Sequence, residues 1–278
     1  MHLVVSIGRI AIIIHKKSPR CNKRGLSYMG STFDRSARPY YNVSIEGGIA
    51  PMYRPFEDFR ISGRFIAVIG SGGKTTLLRH LAQRLPGTVI LTTSTHIYPF
   101  PGIPMVDAGG EAMPENKQRI INEIRAALAV NRVICLGNRL PSGKLASPTE
   151  ALPFETLPDM ADYVVVEADG SAGHPLKAHR PWEPVIPPCA TITVGVVGAI
   201  GLGLPASKAC HCPELFCDLA GCSPDEPVQP EHVAAVLNRE ALADYWLVNQ
   251  VDALPDPEKA RALCELINRD ASPCSLGR

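Results

Sequence analysis

Val68-Ile69-Gly70-Ser71-Gly72-Gly73-Lys74-Thr75-Thr76 decides how this chain is built. It joins a continuous β-rich run, Phe65 to Ile69, to a stretch from Lys74 to Leu85. In that stretch Leu77, Leu78, Leu81, Ala82 and Leu85 recur at helical spacing. The run reads as a strand buried on both faces, and the stripe as an amphipathic helix that Pro86-Gly87 stops. Between the two, glycines let the backbone turn with positive φ and bring its N–H groups against a ligand's oxygens. The first helical turn adds unpaired N–H groups and the positive end of a dipole. Polyphosphate suits such a loop. Lys74 supplies a mobile charge for the β- and γ-phosphates, and Thr75 a hydroxyl for Mg²⁺. Gly70, Ser71, Gly72, Gly73, Lys74, Thr75 and Thr76 are therefore expected to hold a nucleoside triphosphate, ATP or GTP, with Mg²⁺.

Outward from the loop the text alternates between strand and helix. Further strands are predicted at Val89 to Thr92, Val133 to Leu136, Tyr163 to Ala168, Ile192 to Val197 and Tyr245 to Asn249. Helices are predicted at Glu115 to Val130, Glu231 to Leu237 and Pro257 to Ile267, the first with Pro114 suited to its opening turn. The pattern predicts an α/β fold with a mostly parallel sheet and helices on both faces, a P-loop NTPase-like three-layer sandwich. Residues 52–278 form that domain. The chain stops soon after the last helix, where another strand is expected, and so reads as truncated. Residues 1–51 read as a disordered or spurious extension: the basic run from His15 to Gly25 has no periodicity and too little apolar area to order itself. Met52 stands just before the first organised segment.

Tyr163-Val164-Val165-Val166-Glu167-Ala168-Asp169-Gly170 has the form of a strand that delivers carboxylates to a metal. Side chains two apart on a strand share a face, so Glu167 and Asp169 meet at its carboxyl end, where ligands sit in open α/β sheets. Glu167 and Asp169, with Lys74, are the expected catalytic groups. With Thr75 they are the expected Mg²⁺ ligands, directly or through water. Thr92-Thr93-Ser94-Thr95-His96 closes the second strand, and Thr93, Thr95 and His96 are expected on the γ-phosphate side, or else as a polar turn. Lys177, His179 and Arg180 put positive donors in a Pro-punctuated segment within Gly170 to Pro188, suited to an anionic substrate or a pterin-type cofactor, or else to solvent.

The totals argue against several classes. The 278 residues carry a formal charge of +1, which gives no global field for nucleic acid or an anionic membrane. Aromatics make up only 6%, without an RNP-like aromatic strand. No stretch approaches the ~20 apolar residues of a membrane span. Nine cysteines at irregular spacings suit free thiols in a reducing, cytoplasmic setting. Cys210, His211, Cys212, Cys217 and Cys222 lack the paired knuckles of a zinc site.

The phosphate loop lacks one glycine of the eight-residue Walker A pattern, at Val68, and in its shorter form resembles the loop of Mur-type ligases as much as that of GTPases. Val248-Asn249-Gln250-Val251-Asp252 resembles the Asn-Lys-x-Asp element of GTPases, with Gln250 in the lysine's place. That resemblance implies Asn249 and Asp252 as base-binding residues; a simple turn is the other reading. Together with Val166-Glu167-Ala168-Asp169-Gly170-Ser171, Pro175-Leu176-Lys177 and Glu183-Pro184-Val185-Ile186-Pro187, in this order, these stretches resemble the YqeC family of selenium-dependent hydroxylase accessory proteins. The resemblance implies a Mg-dependent NTPase in the maturation of selenium-dependent molybdenum hydroxylases, with such an enzyme or its cofactor-maturation proteins as partners. The family pattern has arginine where this chain has Cys212. A Mur-like ligase or small-molecule kinase, and a non-catalytic nucleotide-gated scaffold, are the alternatives.

Overall fold

The computed structural model describes residues 3–7, 10–14, 64–110, 113–148 and 151–277. The boundary expected at residue 51 and the basic run after Ile14 lie outside the described residues. Leu3–Ile7 and Ile10–Ile14 pair antiparallel, Leu3 opposite Ile14, apart from the main sheet.

From Phe65 the chain runs β1 (Phe65–Gly70), α1 (Lys74–Arg84), β2 (Val89–Thr93), β3 (His96–Ile97), β4 (Met105–Asp107) and α2 (Pro114–Val130). It continues β5 (Val133–Arg139), β6 (Leu145–Ala146), β7 (Tyr163–Glu167), β8 (Leu176–Lys177), β9 (Ile192–Gly198) and α3 (Ala206–Ala209). The last part is β10 (Cys210–His211), α4 (Pro213–Ala220), α5 (Pro230–Glu240), β11 (Tyr245–Asn249), α6 (Glu258–Leu266) and β12 (Asp270–Pro273). The main sheet has ten strands in the order β12-β11-β9-β1-β7-β2-β5-β6-β3, with β4 on β5. Every pair from β12 to β5 is parallel, and only β6 runs antiparallel to its neighbours. The mixed α/β class expected from the sequence is what the chain adopts, and β12 supplies a strand after the last helix. Among the described residues no helix is long and apolar enough to cross a membrane.

Alternation along the strands builds two cores. On one face Ile66, Val68, Leu91, Val165 and Val196 pack against Leu77, Leu78 and Leu81 of α1. On the other, Ala67, Ile69, Val164, Val166 and Trp246 pack against α2, α4, α5 and α6. Each buried leucine of α1 contributes about 1.5–3 kcal/mol relative to exposure, and no polar face of the sheet is left to water there. Continuous apolar strands require this double cover.

β1 lies between β7 and β9, and the chain leaves it first to one side, through α1 to β2, and later to the other, to β9 and β11. Such a reversal opens a crevice at the carboxyl ends of the strands. The registers align that edge: Val196 pairs with Gly70, Gly198 with Asn249, and Thr93 with Glu167.

Close packing at β9 has a direct test. A Cβ on Gly195 would come within 2.3 Å of Trp246 ring atoms. Gly195→Ala is expected to destabilise the fold by about 1–3 kcal/mol, seen as a lower denaturation midpoint at unchanged slope. An unmoved midpoint would contradict that contact.

Candidate functional site

Three glycines shape the turn from β1 into α1: Gly70, Gly72 and Gly73 have φ of 90°, 71° and 137°. Gly73, the N-cap, also has no room for a side chain, because a Cβ there would meet Asn249 Nδ2 at 2.2 Å. The Ser71 amide donates to Val196 O at 2.8 Å and its hydroxyl to Pro175 O at 2.7 Å, which ties the loop to β9 and to the segment before β8. Helix α1 has no acidic residue in its first turn, whereas α2, α4, α5 and α6 each carry a glutamate there. The positive end of its dipole therefore has no neutralising side chain on its own helix.

Lys74, the first residue of α1, is buried, and its Nζ donates to Gly70 O at 2.7 Å and to Ser171 Oγ at 3.2 Å. Thr75 Oγ1 donates to Glu167 Oε2 at 3.4 Å. Burial pushes Lys74 below the usual ammonium range; Glu167 and Asp169 oppose the shift and Lys177 adds to it. Burial likewise pushes the Glu167 carboxyl above the ordinary carboxylate range, against the pull of Lys74 and the Thr75 hydroxyl, while Asp169 adds to the rise. The cost of taking both charges out of water offsets their mutual attraction. Thr93 Oγ1 donates to Glu167 O at 3.0 Å and accepts from the Thr95 amide at 3.0 Å, so the Thr93–Thr95 turn fixes the backbone that carries Glu167.

Strand β7 ends at Glu167, so alternation no longer governs Asp169, which turns under the glycine loop. Its Oδ2 accepts the Gly70 amide at 3.0 Å and His179 Nε2 at 2.8 Å, and its Oδ1 is paired with Lys177. Lys177 also reaches Gly170 O and, at 3.0 Å, Glu183 Oε2. His179 Nδ1 lies 2.7 Å from Glu240 Oε2, and the His179 amide donates to Glu240 Oε1 at 2.6 Å. Burial by itself would raise Asp169; the hydrogen bonds and charges of His179 and Lys177 outweigh it and hold Asp169 below the ordinary range. Burial would lower His179, but Asp169 and Glu240 on its two nitrogens hold it up at about 9. The imidazole is thus an imidazolium at neutral pH.

Asn249 ends β11 nine-tenths buried or more, with Nδ2 on Gly72 O at 2.8 Å and Oδ1 on the Leu276 amide at 2.9 Å. Beyond it opens a cleft of about 300 Å³ lined by Ile200, Asn249, Gln250, Asp252, Ala253 and Leu276. Gln250 is left-handed at φ 66°, and its Oε1 lies against Gly198 without a hydrogen-bond partner. Asp252 is exposed at the rim.

The match to known sequences follows the same landmarks. The sequence model of the YqeC protein family covers residues 66–214. The chain is 32% identical over 218 residues to the Escherichia coli (strain K12) protein described as "Uncharacterized protein YqeC", which takes in 73% of this chain and 80% of that one. The chain belongs to the YqeC family. No solved structure matches it.

This YqeC protein brings Gly70 to Thr75, Thr93, Thr95, Glu167, Asp169, Lys177, His179 and Asn249 together around one strand edge. His96 is exposed at the start of β3, Thr76 is half-buried in α1, and Arg180 is exposed over the Trp182 ring at 5.9 Å. Lys177 and His179, expected to face an anionic substrate or a pterin-type cofactor, are buried with their donors on Asp169, Glu183 and Glu240. Among the described residues no three His, Cys, Asp or Glu side chains converge as a metal cage. Sequence reasoning missed Ser171, Glu183 and Glu240. Ser171 was findable, two residues beyond Asp169. Glu240 was not, since it lies 61 residues from the histidine it holds.

The network carries a pH signature. A histidine raised from 6.5 to about 9 on folding adds stability that is complete below about pH 6.5 and is lost as the pH rises through 9. Its full size is on the order of 3 kcal/mol, from the conversion of one pKa unit to 1.36 kcal/mol. The thermal midpoint is therefore expected to fall between pH 7 and 10, and His179→Gln to flatten that decline. An equally steep fall in the variant would exclude the imidazolium as its source.

Proposed function

We propose that this YqeC protein binds a nucleoside triphosphate, ATP or GTP, with Mg²⁺ on the Gly70–Thr76 loop and hydrolyses it. The observation that carries this reading is the convergence of the Lys74 ammonium, the Thr75 hydroxyl and the Glu167 carboxylate at the start of a helix whose first turn holds no acid. The strand order around β1, with the carboxylate strand β7 beside it, supports a P-loop NTPase-like three-layer sandwich.

The donor set fits a hard divalent ion: a hydroxyl and a carboxylate oxygen 3.4 Å apart, with phosphate oxygens and water to complete the shell. Thr75 and Glu167 would hold it, and it would offset charge on the phosphates. Asp169 already accepts from the Gly70 amide, Lys177 and His179, so it serves the loop in this reading. Lys74 leaves the Gly70 carbonyl for a phosphate oxygen, whose negative charge restores the full ammonium that burial disfavours. Glu167, at the carboxyl end of β7, would hold the ion and orient the attacking water. The amide donors at the head of α1 meet charge that builds on the terminal phosphate.

The cleft beyond Asn249 has the size for a purine, and its rim carries the exposed Asp252 carboxylate. Asn249 spends its amide on the loop and the Leu276 backbone, so reading of the base falls to Asp252 and Gln250. The family resemblance supports the biological setting, an accessory step in maturing selenium-dependent molybdenum hydroxylases.

Phosphate release from ATP and from GTP, with and without Mg²⁺ and a partner enzyme, tests the reading. Lys74→Ala is expected to lower turnover by about 10²–10³-fold, and undiminished turnover would refute the site. Tight binding with no turnover under every condition would favour the scaffold, and ADP formation that depends on a small acid would favour the ligase. Asp252→Ala is expected to weaken GTP relative to ATP by about 10–100-fold, the worth of a hydrogen bond to a charged group. Equal affinities before and after would remove Asp252 from the base site.

A further inference from the structure

Helix α4 carries a feature that nucleotide chemistry does not use. It ends on Gly221 in the left-handed conformation, φ 74°, and the Cys217 carbonyl accepts both the Gly221 amide at 2.8 Å and the Cys222 amide at 3.2 Å. In this kind of helix ending the side chain two residues past the last turn folds back onto the one whose carbonyl it caps, and that contact is ordinarily apolar. Here both residues are cysteine, so the same helix ending sets the two side chains beside each other. Cys217 is buried in the core, while Cys222 is part-exposed. Cys210, fully buried, lies close to both.

We propose that Cys217 and Cys222 form a reversible disulfide, with a hydroperoxide as oxidant and Cys222 as the thiol it oxidises. The part-exposed Cys222 sulfur takes one oxygen from the peroxide, breaking the O–O bond, to give a sulfenic acid and the corresponding alcohol or water. The Cys217 sulfur then attacks the Cys222 sulfur; the S–S bond forms, the S–OH bond breaks, and the Cys217 proton leaves with the hydroxide as water. A dithiol in the medium reverses the change by exchange. Cys217 is buried and Cys222 part-exposed, so the outer sulfur meets the peroxide and the inner one acts second; burial pushes the Cys217 thiol up as well. The linkage replaces a soft helix ending with a covalent one. Phe216, next to Cys217, lines with Gly70, Ser71, Lys177 and His179 a small cavity behind the glycine loop. The modification therefore sits on the helix that backs the candidate phosphate site, though it does not depend on that site's function.

The test treats the full-length reduced protein with hydrogen peroxide, blocks residual thiols with an alkylating agent, and maps linkages by mass spectrometry. The expected result is a Cys217–Cys222 cross-link that forms before other thiols are consumed and is lost on reduction. Cys222→Ser should abolish the link and leave Cys217 alkylatable after unfolding. Cys217→Ser should stop at a Cys222 sulfenic acid, captured by a cyclic diketone probe. Should either variant fail to fold, the wild-type map decides alone. A first linkage through Cys210, Cys212 or Cys189, or oxidation of Cys222 to sulfinic acid without any link to Cys217, would overturn the proposal.

Discussion

A carboxylate buried under a glycine loop cannot stay charged without donors, and the whole site is arranged around that requirement. Asp169 is taken out of water by the sheet edge, and three groups from two parts of the chain compensate it: the Gly70 amide, Lys177 and His179. Each compensating group needs its own partner in turn. Lys177 leans on Glu183, and His179 on Glu240 at the end of α5. The cost of leaving any one of them unpaired in the interior, several kcal/mol for a buried ion, ties the segment after β7, the end of α5 and the start of the loop to one another.

The front of the loop is organised in the opposite way. Lys74, Thr75 and Glu167 are close but undersatisfied: burial drives the lysine and the glutamate towards their neutral forms, and the hydroxyl–carboxylate separation of 3.4 Å is long. A rigid, saturated rear and a frustrated front suit a site whose charge is completed by a ligand. Asn249 links the two neighbouring pockets, since one side chain holds both the Gly72 carbonyl and the strand-following Leu276 amide.

Much of this was legible in the residues. The continuous apolar runs at β1, β7, β9 and β11 predicted buried parallel strands, because both faces of such a sheet are covered. Gly-x-x-Gly-Lys-Thr-Thr predicted the turn, because only glycine reaches those φ values without strain. Glu167 followed from its place at a strand's end. The alternation that located Glu167 failed for Asp169, since the strand stops two residues short of it. Lys177 and His179 looked like surface donors because charge and proline are usually solvated; the presence of Glu240 and Glu183 beside them is a long-range fact that local pattern does not encode.

The sequence by itself determined the main alternation of long strands and helices, the loop's backbone geometry and the identity of the groups at the head of α1, because periodicity and φ preference act over a few residues. Only the tertiary structure decided that Asp169 is spent on the loop, that the Asn249 side chain holds the Gly72 carbonyl and the Leu276 amide, and that Cys217 meets Cys222 through the way α4 ends. Those outcomes depend on burial and on partners tens of residues away. Desolvation is a property of the packed molecule, not of any segment of it.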